Sequence, residues 1–431
     1  MNRHHSPLRS LASRAAEILL SMALQAGDGS VRTGADVLLA SDPPPLRGRR
    51  IGLVTNPTGV TRSLGSIAAA MDRTDGFQVV ALYGPEHGVR GDAQAGEKVS
   101  LQWDPVLKRP LFSLYGKTLK PTGAMLTNIA GLVRGAEGFP TNVVVAERVD
   151  VLVFDIQDVG SRAYTFIGTL SKVLGAAAEN GVPVVVLDRP NPLGGTVLEG
   201  PVLEAPRFLS LVGIHPIPMR HGMTVGELAR LFNARFLTKP ADLTVIPMKG
   251  WDAGAMPEET GLPWVMPSPN MPTPDTAFVY PGQVLLEGTN LSEGRGTTRP
   301  FELFGAPWID AAALESDLNA LGLPGVVFRE TWFSPTFSKH SGKRCGGVQV
   351  HVTDRRTYRS VATTLRVLDR IRRLHPDQLT FQASHFDRLM GTDRTRKVLE
   401  SGGDIVAEIA SFDADLRAFE TLRKPYLLYP R

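Results

Sequence analysis

A glutamate and a histidine stand side by side in Gly84-Pro85-Glu86-His87-Gly88. A carboxyl group beside an imidazole is suited to proton transfer. Two later stretches crowd similar chemistry: Asp155-Ile156-Gln157-Asp158-Val159-Gly160-Ser161-Arg162, with Tyr164 close behind, and Asp188-Arg189-Pro190-Asn191. A fourth, Glu287 to Arg295, has few apolar residues. Its glycines space Glu287, Asn290, Glu293 and Arg295 as a sugar-sized polar ligand would require.

Most of these groups follow a strand. Phe77 to Leu82 precedes Glu86, Asp150 to Asp155 leads into the second stretch, and Val182 to Leu187 into the third. Short apolar runs of this kind form buried parallel strands. Arg50 to Thr55 reads as the first strand, Asn56-Pro57-Thr58-Gly59 as its turn and Ser66 to Met71 as a helix, so a β-α-β unit opens the fold. Three strand ends carrying polar groups on one parallel sheet predict a shared cleft at their carboxyl edge. The competing reading is structural: Asp155 and Asp188 cap helices or pair with Arg162 and Arg189. Thr169 to Asn180 is a helix closed by Gly181, and Thr224 with Glu227 is a capping box that starts another. His221, just before it, is within reach of the cleft. The proline-rich stretch from Gly261 to Pro281 marks a domain boundary. The expected division is a leader over 1–30, a catalytic domain over 31–260 and a second α+β domain over 261–431.

The totals exclude several classes. Among 431 residues, 47 basic and 43 acidic side chains are too evenly balanced for a nucleic-acid binder. The single cysteine, Cys345, rules out an internal disulfide and a cysteine-based zinc site. No run is long enough to span a bilayer. Residues 18–24 loosely imitate a signal peptide, but Glu17 intrudes and no clean cleavage site follows. A cleaved leader would place the protein in the periplasm or outside the cell, an uncleaved one in the cytoplasm. No dinucleotide fingerprint follows any strand, and the Gly91–Glu97 loop lacks the residues of a phosphate-binding loop.

Five motifs together carry a resemblance: Gly52 to Gly59, Gly84 to Gly88, Phe154 to Arg162, Asp188 to Pro192 and Glu287 to Gly296. In this order, from about Val31 to the C-terminus, they resemble the family known as DUF1343, associated with exo-β-N-acetylmuramidases of the NamZ type. The resemblance implies a Rossmann-like N-terminal domain, an α+β C-terminal domain and an active cleft between them. It also implies removal of non-reducing terminal N-acetylmuramic acid from peptidoglycan fragments, without metal or nucleotide.

Glycoside cleavage needs one carboxylic acid for the leaving oxygen and often a second carboxylate as base or nucleophile. Glu86 is the candidate acid, His87 its orienting neighbour, and Asp158, Asp155 or Glu293 the second carboxylate. A substrate-assisted route through the 2-acetamido group stays open. Arg162, Arg189 or Arg295 is placed to hold the lactyl carboxylate. Asn56, Gln157, Tyr164, Asn191 and Asn290 complete the expected substrate contacts. Two other classes compete: a phosphoesterase with Mg²⁺ or Mn²⁺ on Asp155, Asp158, His87 and Asp188, and a muropeptide-binding protein without activity.

Overall fold

The structure, a computed structural model, describes residues 30–41, 46–94, 96–97, 101–134, 136–140 and 143–431. The expected leader falls on residues outside this set, apart from Ser30. A seven-stranded sheet has the order β3-β4-β2-β1-β5-β6-β7. Its strands are β1 (Arg50–Thr55), β2 (Gln78–Gly84), β3 (Gln102–Asp104), β4 (Arg109–Ser113), β5 (Val151–Asp155), β6 (Val184–Leu187) and β7 (Leu243–Ile246). All neighbours pair in parallel except the edge strand β3, which runs antiparallel to β4. This is the strand order of a doubly wound dinucleotide-binding fold, with its switch point between β1 and β5. Register places Thr55 opposite Asp155 and Gly84 opposite Ser113, so the polar strand ends share one edge.

The α/β expectation holds, with β1, β2, β5 and β6 within two residues of the sequence reading. Helix Phe166–Asn180 closes on Gly181 in the left-handed region, φ 66°. Thr224 and Glu227 form the expected capping box. Beyond residue 300, β8 (Leu303–Ala306), β9 (Val326–Phe333) and β10 (Cys345–Val352) make an antiparallel sheet of order β8-β10-β9. Cys345 is buried, and burial pushes its thiol above the ordinary range, which removes the thiolate a nucleophile needs. Among the described residues no helix is long and apolar enough to cross a membrane.

The proline-rich stretch, expected to be a connection, ends in a helix, Pro274–Gln283, with Pro281 in its interior. A proline there removes one helical hydrogen bond. Ser360 repairs the turn: its hydroxyl accepts from Gly282 N–H at 2.8 Å and donates to Val279 O at 2.7 Å. One hydrophobic core then runs without a break from Val54 and Phe154 through Phe278 and Leu285 to Leu365 and Phe419.

His215, half-buried against the edge of this core, is a pH-sensitive point. Its ring lies 4.5 Å from that of Phe232 and 4.6 Å from that of Phe236, with Nε2 2.7 Å from Ser171 Oγ. Burial, helped by Lys172, pushes its pKa down from 6.5 to about 4. The unfolded chain therefore binds the proton first, and stability falls as pH drops from 6.5 towards 4. The loss is on the order of 2 kcal/mol. Urea midpoints at pH 7.5 and 5 check this: His215→Gln should show a smaller drop than the native chain, and equal drops would refute it.

Candidate active site

Glu86 follows β2 on a turn closed by Gly88 N–H donating to Pro85 O at 3.0 Å. His87 adopts φ 70°, a conformation uncommon outside glycine. Its Nδ1 lies 2.8 Å from Ala93 O, so the ring is the protonated-Nδ1 tautomer that donates to this carbonyl. That bond fixes the Gly-rich loop, whose Gly96 N–H donates back to Glu86 Oε1 at 3.1 Å. Thr165 Oγ1 donates to Oε2 at 2.7 Å. Tyr115 completes the setting, its phenol pushed up to about 12 by burial and by the Glu86 carboxylate. His87 thus acts on Glu86 through the loop rather than by direct contact.

Glu86 faces a cavity of about 160 Å³ whose walls include Tyr164, Ser268, Asn270, Tyr280, Phe301 and Arg295. Glu287 lines the same cavity. Tyr164 and Tyr280 pack edge to face at 5.5 Å, and Tyr280 does so with Phe301 at 4.9 Å. The Tyr164 hydroxyl is buried and has no well-formed hydrogen bond among the described residues. A wider chamber of about 970 Å³ shares Asn270, Glu287 and Arg295 with this cavity and is walled further by Glu293, Lys339, Phe337 and His385.

The two glutamates are held differently. Arg295 donates to Glu287 Oε1 from Nε at 3.1 Å and from Nη2 at 2.7 Å. Burial would raise the Glu287 pKa, but His385 and Arg295 outweigh it and hold the carboxyl below its ordinary range. Hydroxyls such as Thr165 and Tyr115 can turn and accept from a protonated carboxyl, whereas a guanidinium only donates. The partner at Glu86 Oε2 can therefore accept as well as donate, whereas the guanidinium at Glu287 only donates and favours the charged carboxylate.

Other expected residues take structural places. Asp155 is fully buried and receives two bonds from Arg189, Nε to Oδ1 at 2.6 Å and Nη2 to Oδ2 at 2.8 Å. Arg162 points away from the cavity and donates to the carbonyls of Pro201, Ile217, Leu389 and Met390. Burial without a carboxylate partner is affordable because a guanidinium can satisfy several carbonyls at once. Asp158 sits behind the wall, its Oδ2 accepting from Gly160 N–H at 2.7 Å and lying 3.7 Å from His221 Nε2. His221 is buried there and does not line the cavity. Asn56 ties its own turn by accepting from Thr58. Asn191 bridges Met223 O and Leu193 N–H, and Asn290 bridges Gln378 O and Thr380 N–H. Glu293 borders the outer chamber, 2.8 Å from Lys339 Nζ. Gln157, Arg189 and Asn191 line a separate cavity of about 260 Å³ whose walls include Trp264.

Glu86, His87, Tyr164, Glu287 and Arg295 are thus brought together, Glu287 in a role the sequence had not assigned it, and Tyr115, Thr165 and Tyr280 join them without having been singled out. Glu287 stands in the same polar motif as Arg295, so that motif was the available signal. Asp188 takes bonds from Thr224, Gly226 and Tyr429, far from serving a metal. Among the described residues no three His, Cys, Asp or Glu side chains are grouped to hold a metal ion.

Residues 51–137 and 135–275 match the family described as exo-β-N-acetylmuramidase NamZ, N-terminal, and residues 278–429 its C-terminal counterpart. The chain is 50% identical to the peptidoglycan β-N-acetylmuramidase NamZ of Bacillus subtilis (strain 168) over 400 residues, covering 93% of this chain and 91% of that one. Two crystal structures of DUF1343 family proteins from Bacteroides fragilis NCTC 9343 share the fold. One has a TM-score of 0.83 at 37% identity, the other 0.70 at 30%, each covering 93% of this chain and 99% of its own. On matches that run through both halves, the chain belongs to the exo-β-N-acetylmuramidase NamZ family.

Proposed function

We propose that the protein is an exo-acting glycoside hydrolase that releases β-linked N-acetylmuramic acid from the non-reducing ends of peptidoglycan fragments. The observation that carries the reading is the pair Glu86 and Glu287 on one small cavity, in a chain half identical to a peptidoglycan β-N-acetylmuramidase. Glu86 donates its proton to the departing glycosidic oxygen as the bond to the anomeric carbon lengthens. Glu287, an anion, faces the oxocarbenium-like charge that develops there, or directs the water or acetamido oxygen that attacks. This replaces Asp158, Asp155 and Glu293 as the second carboxylate. Of the three arginines considered for the lactyl group, Arg295 alone lines the cavity, and its Nη1 is left over after Glu287 takes Nε and Nη2. Tyr164 walls the same cavity and meets the sugar there.

The test is digestion of a defined muropeptide-free glycan that begins with N-acetylmuramic acid. The expected product is free N-acetylmuramic acid, released once per chain end, and its first-formed anomer reports retention or inversion. A folded protein that binds the glycan and releases nothing would identify a binding protein instead.

A further inference from the structure

We propose that Phe337 is the stacking platform for the sugar on the leaving-group side of the scissile bond, an inference that rests on the glycosidase reading above. The inner cavity around Glu86 is small, and the outer chamber adjoins it through the shared residues Asn270, Glu287 and Arg295, so the leaving sugar of a glycan seated at Glu86 is placed toward that chamber. Phe337 stands on the wall of that chamber with 47% of its surface exposed. A flat aromatic face suits the apolar C–H face of a pyranose, while hydroxyls at the ring edge reach polar neighbours such as Gln382 and His385, which also line the chamber.

The loop that presents Phe337 is held on both sides of it. Thr336 donates to Gly296 O from its backbone N–H at 2.9 Å and from Oγ1 at 3.0 Å. Lys339 Nζ donates to Leu286 O at 2.6 Å and Thr289 O at 3.0 Å, and His340 Nε2 lies 2.7 Å from Asn290 O. Gly296 is required for this contact: at φ 82°, a Cβ there would meet Phe337 N and O at 2.7 Å. Ser338 and His340 both adopt positive φ, 69° and 57°. Two such residues in one short loop cost free energy, and the surrounding bonds hold them in place. Every tie runs to the Leu286–Gly296 segment that carries Glu287 and Arg295. Phe337 is the aromatic residue this loop presents to the chamber, beside Ser338 and Lys339.

The experiment compares two substrates. One is the disaccharide β-N-acetylmuramyl-N-acetylglucosamine, whose leaving sugar reaches the platform. The other is β-N-acetylmuramyl fluoride, whose leaving group is one atom. Phe337→Ala should raise KM for the disaccharide about tenfold, as loss of one aromatic stacking contact does, with kcat held within about twofold. Both parameters for the fluoride should stay as in the native enzyme, and Phe337→Tyr should restore the disaccharide KM. An unchanged disaccharide KM, or equal losses on both substrates, would overturn the proposal. If the native protein cleaves neither substrate, the glycosidase reading falls and the platform with it. If it cleaves both and Phe337→Ala matches it, only the platform falls.

Discussion

Glu86→Gln should lower kcat on the natural disaccharide by about 10²–10⁴-fold, the usual weight of one general acid. KM should move little, because the amide keeps the shape of the carboxyl and its oxygen can still accept from Thr165 or Gly96. The same argument predicts a pattern across leaving groups. A nitrophenyl β-N-acetylmuraminide departs without a proton, so the variant should lose far less on it than on the disaccharide. Glu287→Gln should lose heavily on both, because it removes the anion that faces the charged transition state. The measurement is kcat for the native chain and both variants on both substrates. Equal losses for Glu86→Gln on the two substrates would remove it from the acid role, and full activity would remove it from the chemistry. Exchange of the two patterns would exchange the roles of Glu86 and Glu287.

Much of this site was legible in the sequence because it is local. Glu86 is named by the strand before it and the glycines around it, and the parallel character of the sheet follows from apolar runs separated by helices. Arg295 was legible as part of a polar, glycine-spaced stretch. What escaped the reading depends on contacts far apart in the chain. Nothing near Arg162 says that carbonyls at 389 and 390 will use up its guanidinium. Nothing near Asn290 says that Gln378 and Thr380 will claim both ends of its amide. Conversely, Glu287 gains its importance from facing Glu86 across two hundred residues, and Thr165 and Tyr115 carry no motif at all. The proline-rich stretch misled by composition: prolines argue against a helix interior, and the hydroxyl that makes Pro281 tolerable in one belongs to Ser360. Polar residues at strand ends mark the place of a cleft, and only the packing decides which of them face it.

The Asp155–Arg189 pair gives the largest expected effect on stability. Both side chains are buried, the carboxylate completely. Burial raises the Asp155 pKa while the Arg189 guanidinium opposes that, so each charge depends on the other. Arg189→Met leaves Asp155 buried without its cation, and removing one partner of such a pair costs about 3–5 kcal/mol. It also strips a bond from Val60 O, which Arg189 Nη2 supplies at 2.7 Å. Denaturant unfolding should therefore show a much lower midpoint for Arg189→Met. The double variant Asp155→Leu/Arg189→Met should recover part of the loss, since two apolar groups of similar volume no longer bury a lone charge. The comparison also decides between the two readings of Arg189. As a structural partner of Asp155, its removal lowers stability and leaves the KM of the molecules that remain folded near the native value. As a clamp for the lactyl carboxylate, its removal would raise KM steeply with the unfolding midpoint unmoved. Its orientation toward Asp155, with the guanidinium directed away from the cavity that holds Glu86, predicts the first result.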